Sequence, residues 1–239
     1  MVRGSAEQRE YLSERELASP RVIEERPPCT ALPDGYTPFG LREAHHEAPY
    51  LSYLKGRGVS GRTVALYRMG YISDGQLAGR VVVPSFDRHG MINFWSARSI
   101  HPGETLMRYR LPHASKDIVS NEHMVDWDRP VYLVEGIFDE IAVGPQGIAV
   151  YGKFMQSKLA LRLVERRPPM TYVCLDSDAR GDAEELIERL TGYDLRCAIV
   201  DLKEKDPALA GRDLVERAAS EAIPVSGSAD ILWARLRNM

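Results

Sequence analysis

The feature that most constrains the fold is a fourfold alternation of apolar runs and helix-like segments between residues 129 and 222. The apolar runs have the length and composition of buried strands, and they occupy residues 131–134, 147–150, 171–175 and 195–200. After each run, apolar residues recur at helical spacing. This alternation predicts an α/β domain in which helices cover both faces of a parallel sheet.

A different pattern precedes this domain. Two short helices are predicted between residues 48 and 70, the second with Ser60 as its N-cap. Strands are predicted at 80–84, 91–95 and 106–111, and five prolines between residues 20 and 38 are typical of a linker. The predicted organisation is a flexible N-terminal tail or linker (1–45), a small α+β subdomain (46–128), the parallel-sheet domain (129–222) and a C-terminal helix (223–239).

Composition excludes several classes of protein. Apolar residues make up 44% of the 239 residues and charged residues 27%, which is typical of a globular protein. No apolar run approaches the roughly 20 residues of a membrane span, and the N-terminus has no apolar signal segment. We therefore expect a cytoplasmic protein without membrane contact. Cys29, Cys174 and Cys197 lack zinc-site spacing, and His45-His46 is an isolated pair, so no bound zinc is expected.

Charge is spread unevenly along the chain. The net charge is −3, which argues against a protein that binds nucleic acid over its whole surface. Between residues 80 and 116 the acidic residues are only Asp87 and Glu104, whereas six residues are basic: Arg80, Arg88, Arg98, Arg108, Arg110 and Lys116. This excess is consistent either with a local phosphate-binding patch or with an ordinary solvated surface.

Acidic residues follow three of the four predicted parallel strands. Glu135 follows the first strand, Asp176 and Asp178 follow the third, and Asp206 lies after the fourth. Sites in open parallel sheets form at the carboxyl ends of the strands. Residues i and i+2 of an extended chain share a face, so Asp176 and Asp178 are expected to repel each other unless a hard cation such as Mg²⁺ or Mn²⁺ neutralises them. The alternative is that these acids cap the next helix.

The acidic motifs resemble those of a known family. Residues 133–142 (LVEGIFDEIA) resemble the glutamate motif of TOPRIM domains, and residues 175–182 (LDSDARGD) resemble their Asp-x-Asp motif. The upstream segments are similar, in the same order, to the catalytic core of bacterial and phage DnaG-type primases: residues 53–60 (YLKGRGVS), 70–71 (GY), 79–84 (GRVVVP), 87–90 (DRHG) and Arg98. Residues 205–207 (KDP) resemble the third acidic motif of that family.

The resemblance implies a fold, an activity and a set of site residues. The implied fold is a TOPRIM (Rossmann-like) parallel sheet preceded by a small α+β primase-core subdomain. The implied activity is metal-dependent synthesis of RNA primers on single-stranded DNA in phage replication. Glu135, Asp176 and Asp178 are the implied catalytic residues, and they bind Mg²⁺ or Mn²⁺ together with Asp206. Nucleotide or template binding falls to a further set of residues, namely Arg80, Arg98, Arg108, Lys116 and Asp139.

Two departures from the family pattern bear on the partners. The family places an acid two residues after Asp206, where this chain has Ala208, and Asp213 is the nearest substitute. No zinc ribbon precedes the core, so a helicase or a separate zinc-binding protein is an expected partner besides single-stranded DNA and ribonucleoside triphosphates.

Two other functions are alternatives to a primase. One is a TOPRIM nuclease or topoisomerase-like protein, and the other is a non-catalytic module that binds nucleic acid or a replication partner.

Overall fold

The structure, a computed structural model, describes residues 30–104, 107–152, 155–176, 179–203, 206–225 and 230. Its first sheet is antiparallel, with neighbouring strands in chain order: β1 (Thr37–Pro38), β2 (Gly70–Ile72), β3 (Arg80–Phe86), β4 (Ile92–Ser99) and β5 (Tyr109–Arg110). The second sheet is parallel and has the order β7-β6-β8-β9. Its strands are β6 (Val131–Val134), β7 (Gly147–Ala149), β8 (Thr171–Cys174) and β9 (Cys197–Ile199).

Seven α-helices lie in the described residues. Two precede or connect strands of the antiparallel sheet, namely α1 (Ala44–Gly56) and α2 (Gly61–Leu66). The others belong to the parallel-sheet domain: α3 (Ile137–Val143), α4 (Ser157–Arg166), α5 (Arg180–Gly192), α6 (Pro207–Ala210) and α7 (Arg212–Glu221). None of these helices is long and apolar enough to span a membrane.

Local side chains explain where two elements begin or turn. The Ser60 hydroxyl accepts a hydrogen bond from the backbone N–H of Thr63 at 3.1 Å, so Ser60 is the N-cap of α2, as predicted. Asp87 Oδ1 accepts bonds from the N–H groups of His89 and Met91, both at 2.9 Å. These bonds close the turn between β3 and β4 and set the register of the longest strand pair.

The two sheets share one apolar core. Val81, Val83 and Phe94 of the antiparallel sheet are buried in the same cluster as Val134 and Cys174 of the parallel sheet. The opposite face of the parallel sheet forms a second core with α4 and α5. Both faces of the parallel sheet are therefore buried, which confirms the predicted α/β fold class and places the two sheets in direct contact.

The structure differs from the sequence-based boundaries in the N-terminal tail. Residues 30–45 were expected in that tail, yet they contain β1 and the start of α1. The Ala31 carbonyl also accepts a 3.0 Å hydrogen bond from the indole N–H of Trp95. Residues 30–45 therefore belong to the folded part of the chain. The prolines concealed this because their fixed φ suits an edge strand as well as a linker.

Two further expected elements lie partly outside the described residues. The third strand predicted at 106–111 is present as the two-residue β5, and Leu106 lies outside the described part. Most of the expected C-terminal helix, residues 226–229 and 231–239, also lies outside it. Val225, which lies in the expected helix but is a described residue, instead pairs with Cys197 in an isolated antiparallel bridge at the edge of the parallel sheet.

Candidate active site

Glu135 and Asp176 follow two neighbouring strands at the carboxyl edge of the parallel sheet. Val134 pairs with Cys174 in the register of β6 and β8, and each strand ends at that pair. Glu135 is the next residue after β6, and Asp176 is the second after β8. The Glu135 side chain is exposed, while its carbonyl accepts a 3.1 Å hydrogen bond from the N–H of Tyr151. Asp178, the other predicted catalytic acid, lies outside the described residues.

Asp139 joins two distant parts of this edge. Its Oδ2 accepts a hydrogen bond from the N–H of Gly136 at 3.1 Å, and its Oδ1 accepts one from the N–H of Ala208, also at 3.1 Å. The first bond caps the start of α3, and the second ties α3 to the start of α6. Asp139 therefore holds the β6–α3 corner against the third acidic motif.

The electrostatics of Asp139 show that the acids lie close together. Burial, followed by the negative charges of Asp176 and Asp206, raises the pKa of Asp139 to about 6, against the lowering effect of its two backbone hydrogen bonds. An opposite charge in this place would stabilise the ionised carboxylates, because it offsets both the burial of Asp139 and its repulsion from Asp176 and Asp206.

Asp206 has a structural bond of its own. It is the N-cap of α6, and its Oδ1 accepts a 2.6 Å hydrogen bond from the N–H of Leu209. Ala208 stands where the resembled family has an acid, and its contribution here is the backbone N–H that binds Asp139. Asp213, the expected substitute, is exposed in the first turn of α7.

The donor set fits a hard cation in its chemistry. Carboxylate oxygens are the ligands that Mg²⁺ and Mn²⁺ prefer, and Asp139 experiences the field of two neighbouring aspartates. Within the described ranges, which leave out Asp178, no group of three or more His, Cys, Asp or Glu residues is arranged to hold a metal ion. Metal binding at this edge therefore depends on Asp178 joining Asp176, and it stays a proposal.

We call the antiparallel sheet together with α1 and α2 the antiparallel module. Two of its arginines lie against α3, the helix that bears Asp139. The guanidinium of Arg57 lies 4.8 Å from the centre of the Phe138 ring, and that of Arg98 lies 5.2 Å from the same ring. Arg98 also stacks on Tyr109 at 4.7 Å and hydrogen-bonds its hydroxyl. Arg98 Nε donates to the hydroxyl of Tyr53 at 2.6 Å. We call Tyr53, Arg57, Arg98, Tyr109 and Phe138 the arginine–aromatic cluster.

The arginine–aromatic cluster lies within electrostatic range of Asp139. Partial burial raises the pKa of Tyr109, the charges of Arg98 and Arg57 lower it, and Asp139 raises it. Tyr109 therefore experiences the arginines and the acidic edge together. Arg57 was missed as a binding residue by sequence reasoning, although it lies in the YLKGRGVS segment that carried the resemblance. Its Nε is buried and has no hydrogen-bond partner among the described residues.

The other predicted basic residues lie in different surroundings. Arg80 is only 6% exposed, and its guanidinium pairs with Glu104 at 2.5 Å and donates to the carbonyls of Ala78 and Met107. Both terminal nitrogens of Arg80 are thus engaged by protein groups of the antiparallel module, while its buried Nε has no hydrogen-bond partner among the described residues. Arg108 and Lys116 are exposed on the segments that flank β5.

Comparison with solved structures identifies the fold. A DnaG primase catalytic domain bound to single-stranded DNA is similar with a TM-score of 0.68 and 18% identity over 82% of this chain and 77% of that one. The E. coli primase catalytic core is similar with a TM-score of 0.64 and 16% identity over 79% of this chain and 77% of that one. The chain has the fold of DnaG primase catalytic cores. No protein-family model matches the chain, and no curated protein sequence matches it.

A third structure shows how much of a larger primase the fold spans. The Aquifex aeolicus primase, with its zinc-binding and RNA polymerase domains, is similar with a TM-score of 0.63 and 17% identity. The alignment covers 77% of this chain and 57% of the Aquifex chain. The DnaG-type fold that the sequence motifs predicted is thus confirmed, whereas the roles of individual residues depend on the geometry of the site.

Proposed function

We propose that this chain is the catalytic core of a DNA primase, which joins ribonucleotides on a single-stranded DNA template with the help of Mg²⁺ or Mn²⁺. The observation that carries the proposal is the contact of Arg57 and Arg98 with Phe138. This contact puts two cations of the antiparallel module beside the helix that follows Glu135 and bears Asp139. A primase-core fold with cations facing carboxylates suits a reaction between phosphate groups.

Different residues have different proposed functions in nucleotidyl transfer. Arg57 and Arg98 hold the triphosphate or template phosphates, since guanidinium groups match phosphate oxygens in bidentate geometry. Tyr109 and Phe138 offer ring faces beside them, and Asp139 holds the acidic edge in place through Gly136 and Ala208. Asp176, Asp178 and Asp206, with Glu135, hold the divalent cations. When bound, those cations neutralise charge on the reacting phosphate and the leaving pyrophosphate.

Glu135 is proposed to handle charge or a proton at the reacting centre. It is exposed at the carboxyl end of β6, next to the strand that carries Asp176. Single-stranded DNA and ribonucleoside triphosphates are the proposed substrates. A replicative helicase or a separate zinc-binding protein is the proposed partner that supplies template selection, because phosphate contacts carry no sequence information. The proposed setting is phage replication in the host cytoplasm.

A primer-synthesis assay tests the proposal. Purified protein is incubated with labelled ribonucleotides, single-stranded DNA of varied sequence and Mg²⁺ or Mn²⁺, and the products are resolved by length. Wild-type protein should make short RNA that disappears without the cation, and Glu135→Gln should lower the rate by about 10²-fold or more while the fold is retained. Cleavage of the DNA without RNA synthesis indicates a nuclease. DNA binding without either reaction indicates a non-catalytic module.

A further inference from the structure

Glu140 is a fully buried carboxylic acid on α3, and it directly follows Phe138 and Asp139 in the chain. Its exposed fraction is 0%, and no Lys, Arg or His among the described residues forms an ion pair with it. Its Oε1 accepts a 2.6 Å hydrogen bond from Asn121 Nδ2, and its Oε2 accepts a 3.0 Å bond from the N–H of Ala149. The Ser120 side chain adds a further hydrogen bond. A buried carboxylate without a cation is costly, so these donors are essential to its presence.

Asn121 connects this carboxylate to the antiparallel sheet. Its Oδ1 accepts from the N–H of Phe86 at 3.3 Å, and its own N–H donates to Ser85 Oγ at 3.1 Å. Both partners lie on β3, while its Nδ2 donates to Glu140 on α3. Asn121 is in the left-handed backbone region with φ 44°, which asparagine tolerates better than most residues. One side chain thus bridges the two modules of the fold.

The same bridge is reinforced by neighbouring hydroxyl groups. The hydroxyls of Ser120 and Tyr151 lie 3.2 Å apart. The Tyr67 hydroxyl, just after α2, lies 3.5 Å from the Glu140 carbonyl. α3 also lies directly on β7, because a Cβ built on Gly147 would stand 3.0 Å from Glu140 Cα. Glu140 is therefore where α3, β7 and the linker before β6 meet.

We infer that Glu140 is a positioning residue whose side chain, through Asn121, sets the placement of the acidic edge relative to Arg57 and Arg98. The reason is its position in the chain. Phe138, which contacts both arginines, and Asp139, which holds the acidic edge, are the two residues before it. A loss of the Glu140–Asn121 bond frees α3 to move against the module that carries the arginines. The consequence for nucleotide binding rests on the proposed function.

Burial and hydrogen bonding have opposite effects on the ionisation of Glu140. Burial raises the pKa of Glu140 to about 7, and its hydrogen bonds with Ser120, Asn121 and Ala149 limit the rise. The facing titratable groups are Tyr67 after α2 and Tyr151 after β7, both with pKa values raised chiefly by burial. Arg212 on α7 acts on Tyr67. Because the Ser120 hydroxyl can either donate or accept, the network accommodates both protonation states of the carboxyl group.

A distance measurement between the modules tests the inference without relying on activity. Spin labels are placed at Arg62→Cys on α2 and Glu185→Cys on α5, both exposed positions, in a Cys29→Ser background. Cys174 and Cys197 are buried. Pulsed electron paramagnetic resonance then gives the distribution of distances between the two labels. We expect Glu140→Ala to widen that distribution roughly twofold or more relative to the protein with labels alone, because the two modules lose a contact that fixes their relative position.

The double variant Glu140→Gln/Asn121→Asp, which we call the swapped pair, tests the side-chain bond itself. It also keeps the inference testable if Glu140→Ala fails to fold. Glu140→Gln alone turns an amide N–H group towards a donor, either Asn121 Nδ2 or the N–H of Ala149, and should widen the distribution. Adding Asn121→Asp restores a donor–acceptor match across the same bond and should narrow it again. The control is Glu122→Gln, a buried carboxylate on the adjacent turn that pairs with Arg162 of α4 at 2.5 Å. The control should leave the distance unchanged.

Kinetics then separate positioning from simple loss of stability. At a temperature where all variants are folded, Glu140→Gln should raise KM for ribonucleotides by roughly fivefold or more, and the swapped pair should bring it back. An unchanged distance distribution in Glu140→Gln, or a swapped pair no narrower than Glu140→Gln, overturns the inference. If wild-type protein makes no primers, the proposed function fails, but the distance measurement still decides the positioning role.

Discussion

Asp139 Oδ1 lies 3.1 Å from the backbone nitrogen of Ala208, a residue 69 positions later in the chain. This bond joins the first acidic motif to the third. Ala208 stands where the resembled family has an acid, and it contributes to this junction through its backbone N–H, which donates to the carboxylate on α3. The acidic edge is thus held together partly by a carboxylate that accepts two backbone hydrogen bonds.

The first prediction concerns the pH dependence of Asp139. Its pKa is raised from 3.8 to about 6 in the fold, so its contribution to stability is complete below the unfolded pKa and is lost as pH rises through about 6. Asp139→Asn loses one backbone hydrogen bond and should be less stable than wild type at pH 4. The gap should narrow towards pH 8 by up to about 3 kcal/mol, at about 1.4 kcal/mol for each pH unit between the two pKa values.

Denaturant unfolding at several pH values, in the presence of a chelator, measures this difference. Asp201→Asn, at an exposed position after β9, is the matched control and should show no such narrowing. A stability gap for Asp139→Asn that stays constant from pH 4 to pH 8 would contradict the raised pKa of Asp139.

The second prediction is that Mg²⁺ or Mn²⁺ raises the melting temperature. A cation that binds only the folded acids stabilises the fold by mass action, and it relieves the repulsion that Asp139 experiences from Asp176 and Asp206. Asp176→Asn/Asp178→Asn should abolish the shift, as read by calorimetry with and without the ion. If the double variant keeps the full shift, the cation binds elsewhere. Because protonation competes with the cation, the wild-type shift should be larger at pH 8 than at pH 5.

The third prediction concerns the arginine–aromatic cluster. Arg57→Ala/Arg98→Ala should weaken binding of single-stranded DNA or nucleotide and lower the slope of log K against log salt by about one per lost phosphate contact. Fluorescence anisotropy over a salt series measures that slope. Arg196→Ala/Arg217→Ala, at two exposed positions in the parallel-sheet domain, is the control. Equal slopes for both double variants would favour an ordinary solvated surface, and Arg108→Ala tests the exposed β5 segment separately.

The fourth prediction concerns the packing of α3 on β7. A side-chain Cβ at Gly147 meets backbone atoms, namely Glu140 Cα and O at 3.0 Å and Gly144 O at 3.2 Å. Gly147→Ala should therefore lower the free energy of unfolding by about 1–3 kcal/mol, since backbone must move to make room. Chemical denaturation is the measurement. Gly152→Ala, where a Cβ meets nothing within 4 Å, should change stability by much less; equal losses would show that close packing is not the cause.

Hydrophobic periodicity in the sequence determined the α/β class, and the resemblance of the motifs to a known family predicted the DnaG-type fold. Periodicity reports burial directly: the run at residues 131–134 is apolar because both faces of the parallel sheet are covered. The sequence also predicted that Glu135 and Asp176 lie at the same edge of the sheet, because the carboxyl ends of parallel strands meet at one edge whatever the details of packing. Such features depend on neighbours in the chain or on the rules of sheet topology, so one sequence suffices to predict them.

Only the tertiary structure decided which basic residues lie against α3, the helix that bears Asp139. Arg80 and Arg57 are equally basic in sequence, yet Arg80 is buried against Glu104 while Arg57 lies on Phe138. The bridge from Asn121 to Glu140 and the bond from Ala208 to Asp139 also escaped sequence reasoning. Each of these contacts joins segments far apart in the chain. Side-chain partners across such separations are set by how the two sheets pack, and no local pattern of residue types encodes that packing.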